Sequence, residues 1–211
     1  MKKIPFLEGI KEFKNLHFRE NEILFKELVD KGQNPKALFI GCSDSRIIPT
    51  LITNSKPGDL FVIRNIGNMV PPFKPDNDFH GTAAAIEYAV SILNVEDIIV
   101  CGHSNCGMCR ALYEEDKIQG IELIHVKNWL RLGKDVKETV LKIYKNNPDI
   151  NIYELTEKIN ILYQLKNLLT YPKIKEKVES GELRLHGWYY KIETGEIEFY
   201  NSDTNSFELV L

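Results

Sequence analysis

The sequence has no run approaching the roughly 20 apolar residues that cross a bilayer, so a membrane-spanning protein is not expected. It has no surplus of positive charge. Lys and Arg number 27 against 30 Asp and Glu, a net charge of −3. No basic field therefore draws it to nucleic acid or to an anionic lipid surface. It lacks internal repeats, low-complexity segments and any Pro/Gly/Ser-rich linker that would divide it. Cysteine is scarce: four residues, Cys42, Cys101, Cys106 and Cys109. Two disulfides are the plainest reading of an even number, but this is not a small domain with an evident leader. The opening residues Met1-Lys2-Lys3-Ile4-Pro5-Phe6 are soon interrupted by Glu8, Lys11 and Glu12, which argues against a signal peptide. The expected setting is cytoplasmic and reducing, where such cysteines more often bind metal or do chemistry.

What is present is an ordinary globular mix, 43% hydrophobic and 27% charged over 211 residues. That length suits one domain with a sizeable core. One domain is expected over residues 1–211, with residues 1–31 as a helical N-terminal arm. Residues 5–31 are rich in Glu, Lys, Phe and Leu at helical spacing, enough for one or two amphipathic helices. Gly32-Gln33-Asn34-Pro35 breaks the pattern. Strands are expected over 36–41, 60–64, 97–101, 183–192 and 197–200, the last two about the turn Glu193-Thr194-Gly195-Glu196. Short helices are expected at 49–54 and from Cys106 to Tyr113. A buried helix is expected over 81–93, and mostly helix over 121–180 with breaks near Gly133, Pro148 and Pro172. Residues 70–80, with Pro71, Pro72 and Pro75, read as an irregular loop. Strands alternating with helices define an α/β fold: a mostly parallel central sheet flanked by helices, with an antiparallel edge strand.

Two segments carry the chemistry. Cys42-Ser43-Asp44-Ser45-Arg46 follows the first strand, and His103-Ser104-Asn105-Cys106 follows the third. In such sheets, sites form beyond the carboxyl ends of the strands, so both segments fall on one edge. Cys42, His103 and Cys106 make a three-ligand set that leaves one position of a tetrahedral Zn2+ open, the mark of a catalytic zinc site. Two thiolates make that zinc formally neutral. It should acidify water less than a three-histidine site, where the pKa is about 7. Asp44 is then expected to accept a hydrogen bond from the water, and Arg46 to pair with Asp44 and hold it off the metal. The plain alternative for that pair is a surface ion pair of little worth.

Two rivals use the same thiols differently. Cys106-Gly107-Met108-Cys109 is a CxxC of the kind that serves as a redox pair, but this explains neither Cys42-x-Asp-x-Arg nor the His103 spacing. A cysteine phosphatase loop needs five residues between Cys and Arg, and here there are three. Cys109 is expected to pack behind the site and Cys101 to lie in the core.

At these residues the chain resembles the β-class carbonic anhydrases. Gly41 to Arg46 and Gly102 to Gly107 match the two family signatures. Pro57 to Asn68 matches the connecting strand, Gly81 to Val90 the following helix, and Leu185 to Tyr190 a late strand. The likeness runs from about residue 30 to residue 200 and is closer to the plant-like branch. The resemblance implies reversible hydration of carbon dioxide to bicarbonate and a proton by zinc-bound hydroxide, with one zinc per chain. It implies that Gln33, Phe61 and Tyr88 build the substrate pocket, partly from a neighbouring subunit, with Gln33 donating to bicarbonate and the Gly107 amide binding a substrate oxygen. Core packing is the plain alternative for Phe61 and Tyr88, and a loop position for Gln33. It further implies a homodimer or dimer of dimers. Another branch carries an allosteric bicarbonate site with tryptophan three residues before the first ligand. Phe39 stands there instead, which argues against that site and leaves Arg64 to make a structural ion pair. His17, His80, His125 and His186 are chemically able to shuttle the proton, and none is singled out. Hydrolysis of carbon disulfide or carbonyl sulfide, and a redox or metal-storage role for Cys106 and Cys109, are the competing functions.

Overall fold

The computed structural model describes residues 6–118 and 120–210, the Glu115 side chain excepted. Residues 1–5, on which the signal-peptide argument and the start of the arm rest, lie outside the described residues, as do Gln119 and Leu211. Six strands form one sheet: β1 (Ala37–Cys42), β2 (Leu60–Asn65), β3 (Asp97–His103), β4 (Arg184–Tyr190), β5 (Ile197–Asn201) and β6 (Ser206–Leu209). Their order is β2-β1-β3-β4-β5-β6. The first four run parallel, and β5 and β6 turn back antiparallel.

Central parallel strands are covered on both faces and so read as continuous apolar runs. In β1 all six residues are buried, and in β3 all but Asp97. That is why both strands were legible. β6 was not. It has four residues and pairs only with β5, so the expected single antiparallel edge strand is two.

The helices are α1 (Leu7–Glu12), α2 (Phe18–Glu20), α3 (Glu22–Lys31), α4 (Pro49–Ile52), α5 (Gly81–Glu87), α6 (Gly107–Ala111), α7 (Ile124–Leu130), α8 (Lys134–Asn146), α9 (Ile152–Leu168) and α10 (Pro172–Glu179). α1 to α3 form the N-terminal arm. A π-helical turn at Phe13–His17 and a bend at Asn21 link them. They bury none of their residues, and Ile23 and Val29 are 76% and 81% exposed. Phe13, Phe18 and Phe25 pack on one another and Leu28 lies against Gly58, but much of the arm's apolar side stays exposed.

One expectation needs correction. The segment 81–93 is helical, passing into a π-helical turn at Tyr88–Ile92, but it is not a buried helix. Only Ile86, Ala89 and Val90 are buried, because only one side faces the sheet. The break expected near Gly133 is present: a tight 3-10 turn, Arg131–Gly133, separates α7 from α8.

α9 starts on an Asn151 cap, whose side chain accepts the Tyr153 and Glu154 amides. It then crosses β3 and β4. Close approach depends on Gly102 and Gly187, where a Cβ would stand 2.8 and 2.9 Å from the Ile161 side chain.

At the opposite edge from the site, Asp97 ties β3 to β4. Arg184 grips it with two bonds of 2.8 Å, and His186 lies 2.7 Å away. The Arg184 guanidinium, with help from His186, holds the Asp97 carboxyl below its ordinary value. A depressed folded pKa gives stability that is present above the unfolded value near 4 and is lost as pH falls through the folded value. Asp97→Asn is therefore expected to cost about 0.2–1 kcal/mol at neutral pH. The cost should vanish towards the acid limit of the folded state. Urea unfolding at a series of pH values checks this. A penalty that stays constant into acid refutes it.

Candidate metal centre

The strand order places a switch point between β1 and β3. The chain leaves β1 towards β2 on one side and returns to β3 on the other. The crevice beyond those two carboxyl ends is where open α/β sheets hold their ligands. Cys42 is the last residue of β1 and His103 the last of β3, each inside its strand rather than after it.

Cys106 arrives through a turn. Asn105 takes a left-handed backbone with φ +58°, which asparagine tolerates, and Cys106 stands as the extended cap of α6. The turn is sewn to the end of β4 and the hairpin that follows. The Ser104 amide donates to the Tyr190 carbonyl at 2.9 Å. The Ser104 hydroxyl accepts the Ile192 amide at 2.9 Å and donates to Glu193 at 2.5 Å.

These elements bring one donor atom each from Cys42, His103 and Cys106 within 4.8 Å of one another. All three residues are buried. The His103 Nδ1 lies 2.9 Å from the Ser104 carbonyl, so it must carry the proton and donate. Nε2 is then a bare acceptor, buried and without a hydrogen-bond partner among the described residues. A buried acceptor with nothing to accept is costly unless a cation takes it. The two thiols beside it complete a soft, three-donor set that fits zinc.

Hydrogen bonding with the Cys106 thiol and burial push Cys42 up to about 12. Cys106 is pushed up as well, first by the neighbouring Cys109 thiol. Without a metal both sulfurs keep their protons, so a divalent cation must displace them. Metal loading is accordingly a proton-releasing step.

Asp44 and Arg46 are paired, as expected. Arg46 Nε and Nη2 donate to the two Asp44 oxygens at 2.9 and 2.8 Å, and the Arg46 amide adds a third bond of 3.0 Å. Arg46 Nη2 also donates to the Asn105 carbonyl at 3.2 Å, which joins the two halves of the centre. The Arg46 guanidinium holds the Asp44 carboxyl far below the usual carboxylate range. Bidentate geometry makes this more than a surface pair.

Arg64 makes no ion pair among the described residues. It donates to the Cys42 and Asp44 carbonyls at 3.0 and 2.5 Å and so braces the ligand loop from β2. Phe39 is buried against Trp188 and belongs to the core.

Phe61, Tyr88 and Gln33, expected to build a substrate pocket, are not drawn to the three donors within one protomer; Phe61 pairs with Leu38, four residues before Cys42. Phe61 and Tyr88 stack on each other, with ring centroids 6.0 Å apart. Phe61 is half-buried and packs against the main core cluster, whereas Tyr88 is 44% exposed. Gln33 is exposed beyond α3, and no hydrogen bond among the described residues joins it to the centre. Gly107 opens α6 with nothing within 4 Å of the place a Cβ would take.

All four cysteines are free thiols, which sets aside the two-disulfide reading. Cys101 is core. Cys109 packs with Met108, Leu112 and Leu130 behind Cys106. Cys109→Ser is expected to retain zinc and activity, and loss of both would favour the redox reading. A second donor group, Asp76, Asp78 and His80, lies exposed on the loop before α5. Asp76 is already taken by Lys74 and His80 at 2.6 and 2.7 Å.

One neighbour of the centre was missed. Glu157 on α9 is buried, accepts the Cys106 amide at 2.8 Å and accepts the Tyr189 hydroxyl at 2.8 Å. Burial pushes its carboxyl up to about 7. It is 51 residues from Cys106, and no local spacing announces the contact.

A mostly parallel α/β sheet with a Cys, His, Cys centre at its switch point, flanked by a locked Asp–Arg pair, marks a zinc-binding enzyme. Residues 37–197 match the family model described as "Carbonic anhydrase". A "Carbonic anhydrase" of Synechocystis sp. is 43% identical over 201 residues, covering 95% of this chain and 72% of that protein. The solved structure of the β-carbonic anhydrase CcaA superposes with a TM-score of 0.89 at 42% identity, covering 97% of this chain and 90% of that one. A structure from Sordaria macrospora, reported among two tetrameric β-carbonic anhydrases, gives 0.79 at 32% identity, covering 92% and 93%. The chain belongs to the β-class carbonic anhydrase family.

Proposed function

We infer that this chain is a zinc-dependent carbonic anhydrase that interconverts carbon dioxide with bicarbonate and a proton. The observation that carries the reading is the bare His103 Nε2, buried with two thiols beside an Asp44 locked by Arg46. Cys42, His103 and Cys106 would hold zinc, which would supply Lewis acidity and lower the pKa of water enough to furnish a hydroxide nucleophile.

The rest is done by side chains. Asp44 Oδ1 already accepts two N–H groups and Oδ2 one, which leaves Oδ2 a lone pair for a proton of the attacking water. Arg46 keeps that carboxylate ionised, so Asp44 orients water and does not store the released proton. The same grip keeps Asp44 from competing for the metal. Phe61 and Tyr88 form an apolar wall for carbon dioxide, Gln33 donates to bicarbonate, and the Gly107 amide meets a substrate oxygen.

Gln33, Phe61 and Tyr88 stand apart from the three donors within the protomer, which supports a pocket completed by a second copy of the chain. The apolar arm of α1 to α3 and the exposed edge strand β2 offer the contact surface. The assembly is a homodimer or a dimer of dimers, and the tetrameric Sordaria macrospora relatives favour the larger form. An active monomer in analytical ultracentrifugation would sink the shared pocket.

No helix among the described residues is long and apolar enough to cross a membrane, in line with a protein that works in the cytoplasm. No histidine is singled out as the proton shuttle. His17, His80 and His186 sit beside the carboxylates of Glu20, Asp76 and Asp97, and His125 is an exposed residue of α7. Stopped-flow carbon dioxide hydration across pH, with zinc measured in the same samples, tests the whole reading. Zinc near one per chain with no hydration at alkaline pH overturns it.

A further inference from the structure

α9 carries a polar stripe on its buried side. Thr156, Glu157, Asn160 and Gln164 are each 3% exposed or less. Three of them, with Asn167, reach for loops. Glu157 Oε1 accepts the Cys106 amide. Asn160 Nδ2 donates to the Gly67 carbonyl at 3.0 Å. Gln164 Oε1 accepts the Val70 amide at 2.8 Å, and its Nε2 donates to Asn160 Oδ1 at 2.8 Å. Asn167 Nδ2 donates to the Val70 carbonyl at 2.9 Å. One helix therefore holds two segments at once: the turn that presents Cys106, and residues 67–70 after β2. Part of that second segment, Ile66–Asn68, packs against β1, β3 and α6.

The Glu157 contact stands out in this set. Cys106 is the cap residue of α6, so its own N–H lies outside the helical ladder and needs an acceptor. The residue before it is left-handed, which makes this a turn that surrounding bonds must hold. A carboxylate is an expensive acceptor to bury, and an apolar side chain of similar volume would pack at less cost. The acceptor is retained where a zinc ligand's backbone is the donor.

We propose that Glu157 is a positioning residue of the metal centre: by accepting the Cys106 amide it fixes the turn that aims the Cys106 sulfur at Cys42 and His103. The proposal rests on the zinc-enzyme reading above. Metal–ligand distances tolerate only about ±0.2 Å, so a small relaxation of this turn is felt at the metal. Tyr189 steadies Glu157 from the other side through its hydroxyl, 2.8 Å from Oε2.

Glu157→Leu fills the space without an acceptor. Glu157→Gln keeps a carbonyl oxygen for the Cys106 amide and offers its NH2 group to the Tyr189 oxygen. Tyr189→Phe loosens Glu157 without touching the ligand turn. Zinc affinity is read by chelator competition, and ligand geometry by the absorption spectrum of the cobalt(II)-substituted protein. Glu157→Leu is expected to weaken zinc about 10–100-fold, the usual effect of losing an outer-shell partner, and to shift the cobalt bands. Glu157→Gln is expected to stay close to wild type. A folded Glu157→Leu protein with wild-type affinity and bands overturns the proposal. So does a Gln variant that loses as much as Leu, because the negative charge would then matter and not the acceptor. Should Glu157→Leu fail to fold, Tyr189→Phe decides: a smaller weakening with shifted bands supports the role, and unchanged affinity and bands overturn it. A wild-type chain that binds no zinc would instead refute the metal reading on which the proposal stands.

Discussion

A Cys42→Ser variant is expected to lose nearly all of its zinc and to hydrate carbon dioxide at little more than the uncatalysed rate. Serine keeps the shape but offers a hydroxyl that does not ionise in the working pH range, so a soft anionic donor becomes a weak neutral one. The remaining pair, His103 and Cys106, cannot fix a tetrahedral metal. The loss should therefore exceed the roughly 10–100-fold typical of outer-shell changes. Folding should survive, because the backbone at Cys42 is set by strand pairing on both sides and by Arg64 on its carbonyl. Circular dichroism, zinc content and stopped-flow rates on one preparation give the answer. A variant that keeps a full complement of zinc removes Cys42 from the ligand set.

Arg46→Ala is expected to produce the second-largest loss, on the order of 100-fold in kcat/KM, with zinc retained. Arg46 occupies both Asp44 oxygens and ties them to the Asn105 carbonyl. Without that grip a carboxylate two residues beyond a ligand is free to turn towards the metal and take the place that water needs. The distinguishing feature is bound zinc with no turnover, in contrast to the zinc loss expected for Cys42→Ser. A structure of the zinc-loaded variant checks it. Water still on the metal, with Asp44 turned away, would remove this role from Arg46.

The parts of the protein that could be read from the chain share a physical property: they are local. β1 and β3 are contiguous apolar runs because both of their faces are covered, and Cys42 and His103 end them. Asp44 and Arg46 lie close enough in sequence to meet around a single turn. What escaped reading depends on contacts across the chain. β6 exists because β5 offers it an edge. Arg64 bonds the carbonyls of Cys42, at the end of the neighbouring strand, and Asp44, just beyond it, where sequence suggests an ion pair. Tyr88 looks like core by its helical surroundings, yet the side of the helix it occupies is half open.

α9 is the sharpest case. Glu157, Asn160, Gln164 and Asn167 recur at spacings of three and four, the signature of a solvent-facing stripe. In the fold most of that stripe is buried, because Gly102 and Gly187 let the helix settle close onto the sheet and the loops beside it present unpaired amides and carbonyls.

The sequence by itself determined the candidate ligands, the strands that lead to them, the Asp–Arg pair and the family, since each is written in residue type at short spacing. Only the tertiary structure decided that His103 presents a bare Nε2, that Arg46 bridges both halves of the centre, and that Glu157 bonds the Cys106 amide. Hydrogen bonds have direction, and direction is fixed only when distant backbone segments are held in place together.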